Sequence, residues 1–258
     1  MNLGIADRKA IVCASSRGLG KACARALAEA GCEVVINGRD AKKLEAAAAE
    51  LAGSGVKIIP VVADVATAEG QKALLAACPQ PDILVNNNAG PPMRDFRELT
   101  RQQMLDGVVG NMVVAIELIQ KVIDPMCERK FGRIINITSG SVKMPLAGLD
   151  LSSGARAGLT AFLAGVARKV ADRNVTINNI LPGAFDTDRL RSTLSKTAEQ
   201  QKKSEAEVAA SRMAGIPAKR FGNPDEFGAA CAFLCSAQAG YITGQNLLID
   251  GGTFNGAF

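Results

Sequence analysis

Histidine is missing from all 258 residues of the chain. That absence removes His-based nucleophilic triads and His-ligated metal centres, so any chemistry must use other groups and no metal site is expected. Tyrosine occurs once, at Tyr241. No Pro- or Ser-rich stretch serves as a linker, and no apolar run reaches the roughly 18 residues of a membrane span. The N-terminal residues 1–16 lack the basic-then-apolar design of a leader. These absences predict one domain over residues 1–258, no membrane partner and a cytoplasmic protein. The net charge is +5, but 30 basic residues are scattered among 25 acidic ones, with only short runs such as Lys202-Lys203. That pattern argues against a nucleic-acid partner. Seven cysteines, an odd number in unrelated contexts, read as free, mostly buried thiols.

What is present is an alternation. Short β-branched runs (KAIVCA, EVVING, VKIIPVVADV, DILVNNN, GRIINIT, VTINNILPG, QNLLIDGG) are separated by longer Ala-rich stretches with helical spacing. Repeated βα units of this kind predict an α/β, Rossmann-like doubly wound fold: a seven-stranded, mostly parallel sheet with helices on both faces. Among the helices, one is expected around Ala155 to Ala171. Residues 188–213 are the polar exception, with scattered charge and little apolar periodicity. They read as a mobile lid over the site or as a solvated surface helix.

Between the first strand and the first helix lies Ala14-Ser15-Ser16-Arg17-Gly18-Leu19-Gly20. Its glycines permit a tight turn and close approach of backbone to a pyrophosphate at a helix N-terminus, though a turn like this can also be only a connection. An acidic residue at the end of the second strand would accept a ribose 2′-hydroxyl and repel a 2′-phosphate. Here that strand ends Asn37-Gly38-Arg39, and Arg39 with Arg17 can reach a 2′-phosphate. The expected cofactor is NADP(H) in preference to NAD(H). The neighbouring Asp40 leaves open that both arginines are only solvated charges.

On these residues the chain resembles the short-chain dehydrogenase/reductases, whose turn reads T-G-x-x-x-G-x-G, with Ala14 where the first glycine stands. The likeness continues through Asp64-Val65, Asn-Ala-Gly at 88–90, Asn111, Ser139, Pro182-Gly183-x-x-x-Thr187, Arg220 to Glu226, and Tyr241 to Gly244. Around the fourth strand, matching letters places N-N-A-G on 87–90, whereas counting from Asp82 places it on 86–89. Asn87 neighbours the cofactor in either alignment. The resemblance implies a homotetramer and a small-molecule carbonyl or alcohol substrate. It is nearest to a divergent branch grouped with 3-oxoacyl-acyl-carrier-protein reductases.

Reduction of a carbonyl develops negative charge on its oxygen, so a hydrogen-bond donor and a proton source are needed there. In the family a Tyr in Y-x-x-x-K gives the proton. The Lys binds the nicotinamide ribose, a Ser orients the substrate oxygen, and an Asn holds a relay water. Matching implies Ser152 at the Tyr position, Arg156 at the Lys position, Ser139 as the serine and Asn111 as the asparagine. Serine is a poor replacement acid, and arginine binds but does not readily relay protons. Lys143, four residues beyond Ser139, is the candidate proton donor, or else a solvated loop lysine. The expected activity is an NADP(H)-dependent oxidoreductase. The alternative is a catalytically impaired member serving as a structural or regulatory subunit, in a hetero-oligomer with an active paralogue.

Overall fold

The computed structural model describes residues 2–257. Each strand runs into a helix: β1 (Lys9–Val12) into α1 (Gly18–Glu29), β2 (Glu33–Gly38) into α2 (Ala41–Leu51), and β3 (Ile58–Val62) into α3 (Ala68–Ala77). After β4 (Ile83–Asn86), α4 (Arg101–Val108) passes through a π-helical turn (Val109–Val113) into α5 (Val114–Glu128). β5 (Gly132–Ile137) precedes α6 (Asp150–Val170). β6 (Val175–Pro182) is followed by α7 (Asp188–Gln201), α8 (Glu205–Ala214) and α9 (Pro224–Cys235), and β7 (Asn246–Ile249) comes last. The strands form one sheet in the order β3-β2-β1-β4-β5-β6-β7. Every pairing is parallel, so the expected mostly parallel sheet is wholly so among the described residues.

Period-two alternation builds two cores from the same strands. Val12, Ile36, Val85 and Ile135 face one layer with Leu27 of α1, Leu44 of α2 and Phe227 of α9. Ile11, Val35, Leu84 and Ile134 face the other with Leu74 of α3, Leu118 of α5 and Leu159 of α6. The strand order reverses between β1 and β4, and a cleft opens beyond their carboxyl ends, where ligands bind in sheets of this type. On the α5–α6 side of that end, Asn86 donates through Nδ2 to Asn136 Oδ1 (2.9 Å). Asn136 donates to Asn179 Oδ1 (3.0 Å), and Asn179 to Asn246 Oδ1 (2.7 Å). The four amides occupy paired register positions on β4, β5, β6 and β7.

Two sequence expectations need correction. The sixth helix begins at Asp150, five residues earlier than the Ala155 expected. Ser152, Ser153 and Gly154 weaken the local helical signal. Tertiary contact overrides it, with Leu151 packed where a Cβ on Gly107 of α4 would otherwise stand, 2.4 Å from its Cγ. Residues 188–213 are not without apolar periodicity. Leu190, Leu194 and Ala198, spaced at i, i+4 and i+8, form a cluster with Val208 of α8, against which Phe221 packs. Thr187 caps α7 and Ser204 opens α8 with a capping box, so the segment is a pair of helices with its own small core. No helix among the described residues is long and apolar enough to cross a membrane. All seven cysteines are free, and all but Cys127 are buried.

Candidate active site

The turn after β1 is held from within. Ser15 is fully buried; its Oγ donates to Val12 O (2.7 Å) and accepts from Asn37 N (2.9 Å), while Ala14 N donates to Asn37 Oδ1 (3.2 Å). Ser15 thus pins the turn to β2 and turns its hydroxyl away from the cleft. Arg17, in extended backbone, precedes α1, and no side chain caps that helix. The amides of its first turn, Gly18 and Leu19 among them, are left open to an anion. Thr187 faces this turn from the start of α7: a Cβ on Gly18 would lie 3.8 Å from its Cγ2. Pro182 and Gly183 lie deeper, with Gly183 N donating to Ile249 O (2.8 Å) at the end of β7.

Ala14 has φ +45°, the left-handed region that glycine adopts freely and alanine only at a cost. The strain is about 1–2 kcal/mol, against about 0.5–1 kcal/mol for the extra unfolded-state freedom of glycine. Ala14→Gly is therefore expected to raise stability by about 0.5–1 kcal/mol in urea denaturation. A loss of similar size would show that the methyl group's packing matters more than the backbone strain.

The far end of the cleft is basic. Ser16 packs against Gly38, where a Cβ would lie 3.1 Å from Ser16 Oγ. Arg17 is exposed, and Arg39 Nη1 lies 3.5 Å from Asp64 Oδ2. Asp40 is turned elsewhere: it caps α2 by accepting from Lys43 N (3.2 Å) and pairs with Lys43 Nζ (2.7 Å). Those bonds hold its carboxyl below the usual carboxylate range. Val65 is buried, in the core below α5.

At the centre, Asn87 Nδ2 donates to Ala14 O (3.1 Å) and Asn88 Nδ2 to Gly110 O (3.0 Å). Asn87 therefore sits beside the phosphate-binding turn, and Asn88 ties β4 to the π-helical turn. That turn carries Asn111, which is buried and donates through Nδ2 to Gly107 O (3.0 Å), four residues back. π-Helical insertions of this kind recur at functional sites. Asn86, Asn111, Asn136 and Arg156 line a cavity of about 20 Å³, room for one water molecule. The buried amide oxygens of Asn86 and Asn111 have no donor among the described residues.

Arg156 is 8% exposed. Its Nη1 donates to Ile137 O (2.7 Å) and Thr138 O (2.8 Å) at the end of β5, and its Nε to Ser152 Oγ (3.2 Å), one helical turn away. Burial, and then the charge of Arg189, bring its pKa down to about 10. It is still a cation at neutral pH. Ser139 Oγ accepts from Ser141 N (3.1 Å) and Ser141 Oγ (2.9 Å), which leaves its own hydrogen free to be donated. Lys143 ends the same short helical turn, with its Nζ 5.6 Å from the centroid of the Phe254 ring. Tyr241, the only tyrosine, is fully exposed, in the segment leading to the amino end of β7. No phenol serves the cleft from elsewhere in the fold.

Two residues at the cleft escape sequence reasoning. Phe254 comes from the C-terminal segment, fixed by Phe254 N donating to Asp250 Oδ2 (2.7 Å). Arg189 reaches from α7 to Gly90, where a Cβ would lie 3.0 Å from its Nη1 and 3.4 Å from Arg156 Nη2. Its position two residues after Thr187, in the first turn of a capped helix, is the one signal that points to it.

The comparisons with known proteins agree with this architecture. A family profile described as enoyl-(acyl carrier protein) reductase matches residues 13–253. The NADPH-dependent reductase BacG of Bacillus subtilis (strain 168) is 30% identical, over 96% of this chain and 98% of that protein. The 3-oxoacyl-[acyl-carrier-protein] reductase FabG of Vibrio harveyi is also 30% identical, over 98% of this chain and 99% of that protein. Among solved structures, L-sorbose reductase from Gluconobacter frateurii, complexed with NADPH and L-sorbose, superposes with a TM-score of 0.93 at 29% identity. The match covers 99% of this chain and all of that one.

Proposed function

The chain belongs to the short-chain dehydrogenase/reductase family of oxidoreductases, and from that premise we propose that it is an NADP(H)-dependent enzyme reducing a carbonyl or oxidising a secondary alcohol. The carrying observation is the convergence of a free hydroxyl donor, Ser139, and a buried cation, Arg156, at the carboxyl end of β5. The residues present fit the dinucleotide: an open helix N-terminus at Gly18, and a strand end offering Ser16, Arg17 and Arg39 with Asp40 turned away. That charge pattern supports NADP(H) over NAD(H), because a 2′-phosphate meets cations and no free carboxylate. BacG, an NADPH-dependent reductase, and the L-sorbose reductase structure, complexed with NADPH, support the same assignment. Bound, the dinucleotide supplies or accepts the hydride.

The chain's own groups do the rest. Ser139 donates to the substrate oxygen, where charge develops, and such a donor is worth roughly 10²–10³ in rate. Arg156 holds ribose hydroxyls and lends positive potential; Ser152 fixes its Nε. Lys143 is the proton source in place of the missing phenol. Asn111, beside the cavity of about 20 Å³, holds a relay water through its unpaired amide oxygen. The α7–α8 pair is the lid over the cleft. The working assembly is a homotetramer, with Met104, Leu105, Val108 and Val109 exposed on one helical face as a candidate contact.

Titration of the purified protein with NADPH and NADH, read by cofactor fluorescence, tests the reading. Micromolar NADPH affinity, about −8 kcal/mol, is expected, clearly tighter than NADH. With a substrate identified from a carbonyl screen, Ser139→Ala and Lys143→Met are expected to lower kcat roughly a hundredfold or more. Unchanged turnover in both variants defeats the assignment. A second reading is favoured by the position of Tyr241: with no phenol at the cleft, the chain serves as a non-catalytic subunit beside an active paralogue. No saturation by either nucleotide near millimolar, together with co-purification of such a paralogue, decides for it.

A further inference from the structure

Two guanidinium groups meet at Gly90, beyond the end of β4, with no carboxylate between them among the described residues. Arg156 spends Nη1 and Nε on partners inside the protein, which leaves the two hydrogens of Nη2, one for a ribose hydroxyl and one for an anion beside it. Arg189 reaches the same place from the first turn of α7. A Cβ on Gly90 would stand 3.0 and 3.1 Å from Nη1 and Nη2 of Arg189 and 3.4 Å from Nη2 of Arg156, so both forks border one small volume. Among the described residues neither arginine lies in an ion pair, and the side chain of Arg189 makes no hydrogen bond. The acids beside Arg189 in the chain, Asp186 and Asp188, are taken by Arg191. Like charges brought together in a partly dry cleft repel, and an oxyanion between them removes the repulsion.

We propose that Arg156 and Arg189 form an oxyanion seat at Gly90, which takes a carboxylate or phosphate group through charge-assisted hydrogen bonds from Arg156 Nη2 and the fork of Arg189. Identifying the seat's natural occupant rests on the reading of the cleft as a dinucleotide and substrate site. Two sources share the chemistry. Thr187, which faces Gly18, puts Arg189 near the phosphate-binding turn, so a phosphate of the dinucleotide can reach it. Arg156 is joined to the end of β5, which leads into Ser139, so an acidic group on the substrate can reach it as well.

Calorimetric titration of the full chain with malonate and with inorganic phosphate, before and after saturation with NADPH, reads the seat without turnover. The wild-type protein is expected to bind both anions, and Arg189→Ala and Arg189→Gln to bind them about tenfold or more weakly. Circular dichroism is expected to be unchanged, because the Arg189 side chain carries no internal bond. If NADPH saturation abolishes anion binding, the cofactor's phosphate is the occupant. If binding survives or tightens, the seat serves a substrate bearing a carboxylate. Absence of saturable binding by the wild type, or equal affinity in wild type and Arg189→Ala, overturns the proposal. Failure of NADPH to bind at all would defeat the dinucleotide reading alone, since the titration without nucleotide still judges the seat.

Discussion

Gly20→Ala is expected to lose at least tenfold in NADPH affinity and about 1–3 kcal/mol in stability. In an open helix the same change would stabilise by up to about 1 kcal/mol, because alanine is the better helix former. Gly20 is not in the open. Its Cβ would stand 2.5 Å from the carbonyl oxygen of Ala14 and 2.9 Å from Nδ2 of Asn87, which donates to that carbonyl. The nearest atom is backbone, so relief must come from moving the turn. Overpacking of this kind costs about 1–3 kcal/mol, and the displaced Asn87 bond about 1 kcal/mol more. Together these outweigh the helix gain. The same displacement opens the turn that would hold the pyrophosphate. Urea denaturation and NADPH titration check both halves; a variant that is more stable and binds NADPH normally would show that the turn is only a connection.

Arg156→Met separates function from stability. The substitution removes the bonds to the carbonyls of Ile137 and Thr138 and one to Ser152. Unsatisfied buried acceptors cost about 1–3 kcal/mol, but the change also relieves burial of a charge and its repulsion from Arg189. The net loss is expected to be no more than about 1–2 kcal/mol, while turnover falls at least about a hundredfold. A strictly structural arginine would show the reverse split. The sign of the pH dependence follows from its pKa of about 10, below the ordinary 12.5. Below pH 10 the folded protein bears the cost of keeping the group charged, and that cost is relieved as pH rises between the two values. The positive potential runs the other way, present below pH 10 and lost above it. NADPH affinity is therefore expected to hold to about pH 9 and fall beyond pH 10 in the wild type. In Arg156→Met that fall is expected to be absent.

Legibility of this chain in its sequence divides along the range of the interactions. The βα rhythm is local, set by apolar alternation and turn residues, and the seven parallel strands follow from it. The turn at Ala14 to Gly20 is local as well, although its sequence does not show that Ser15 faces inward, because Asn37 comes from another strand. The role of Asp40 is undecided in the sequence, where it is as near a cofactor as a helix cap; the bonds to Lys43 resolve it. The start of α6 is misplaced because Leu151 finds its place against Gly107, far along the chain. The apolar stripe of α7 is hidden among charges, and Val208 on the next helix supplies its purpose. Arg189 and Phe254 reach the cleft through the crossovers that place β6 beside β5 and β7 beside β6, and no spacing rule shows that meeting.

The asparagines of β4 to β7 act as a combination lock on strand alignment. A slip of one residue in β4, β5 or β6 turns its amide to the opposite core, breaks its bonds to the neighbouring asparagines, and leaves unpaired polar groups where Leu27 and Phe227 pack. Apolar strands alone tolerate such slips better, since Ile135 and Ile134 are interchangeable in chemistry. In a parallel sheet, assembled through long crossovers and so slow to search its pairings, the amides exact their penalty in misaligned intermediates. Folding errors are thereby discouraged in the half of the sheet that carries the reacting groups.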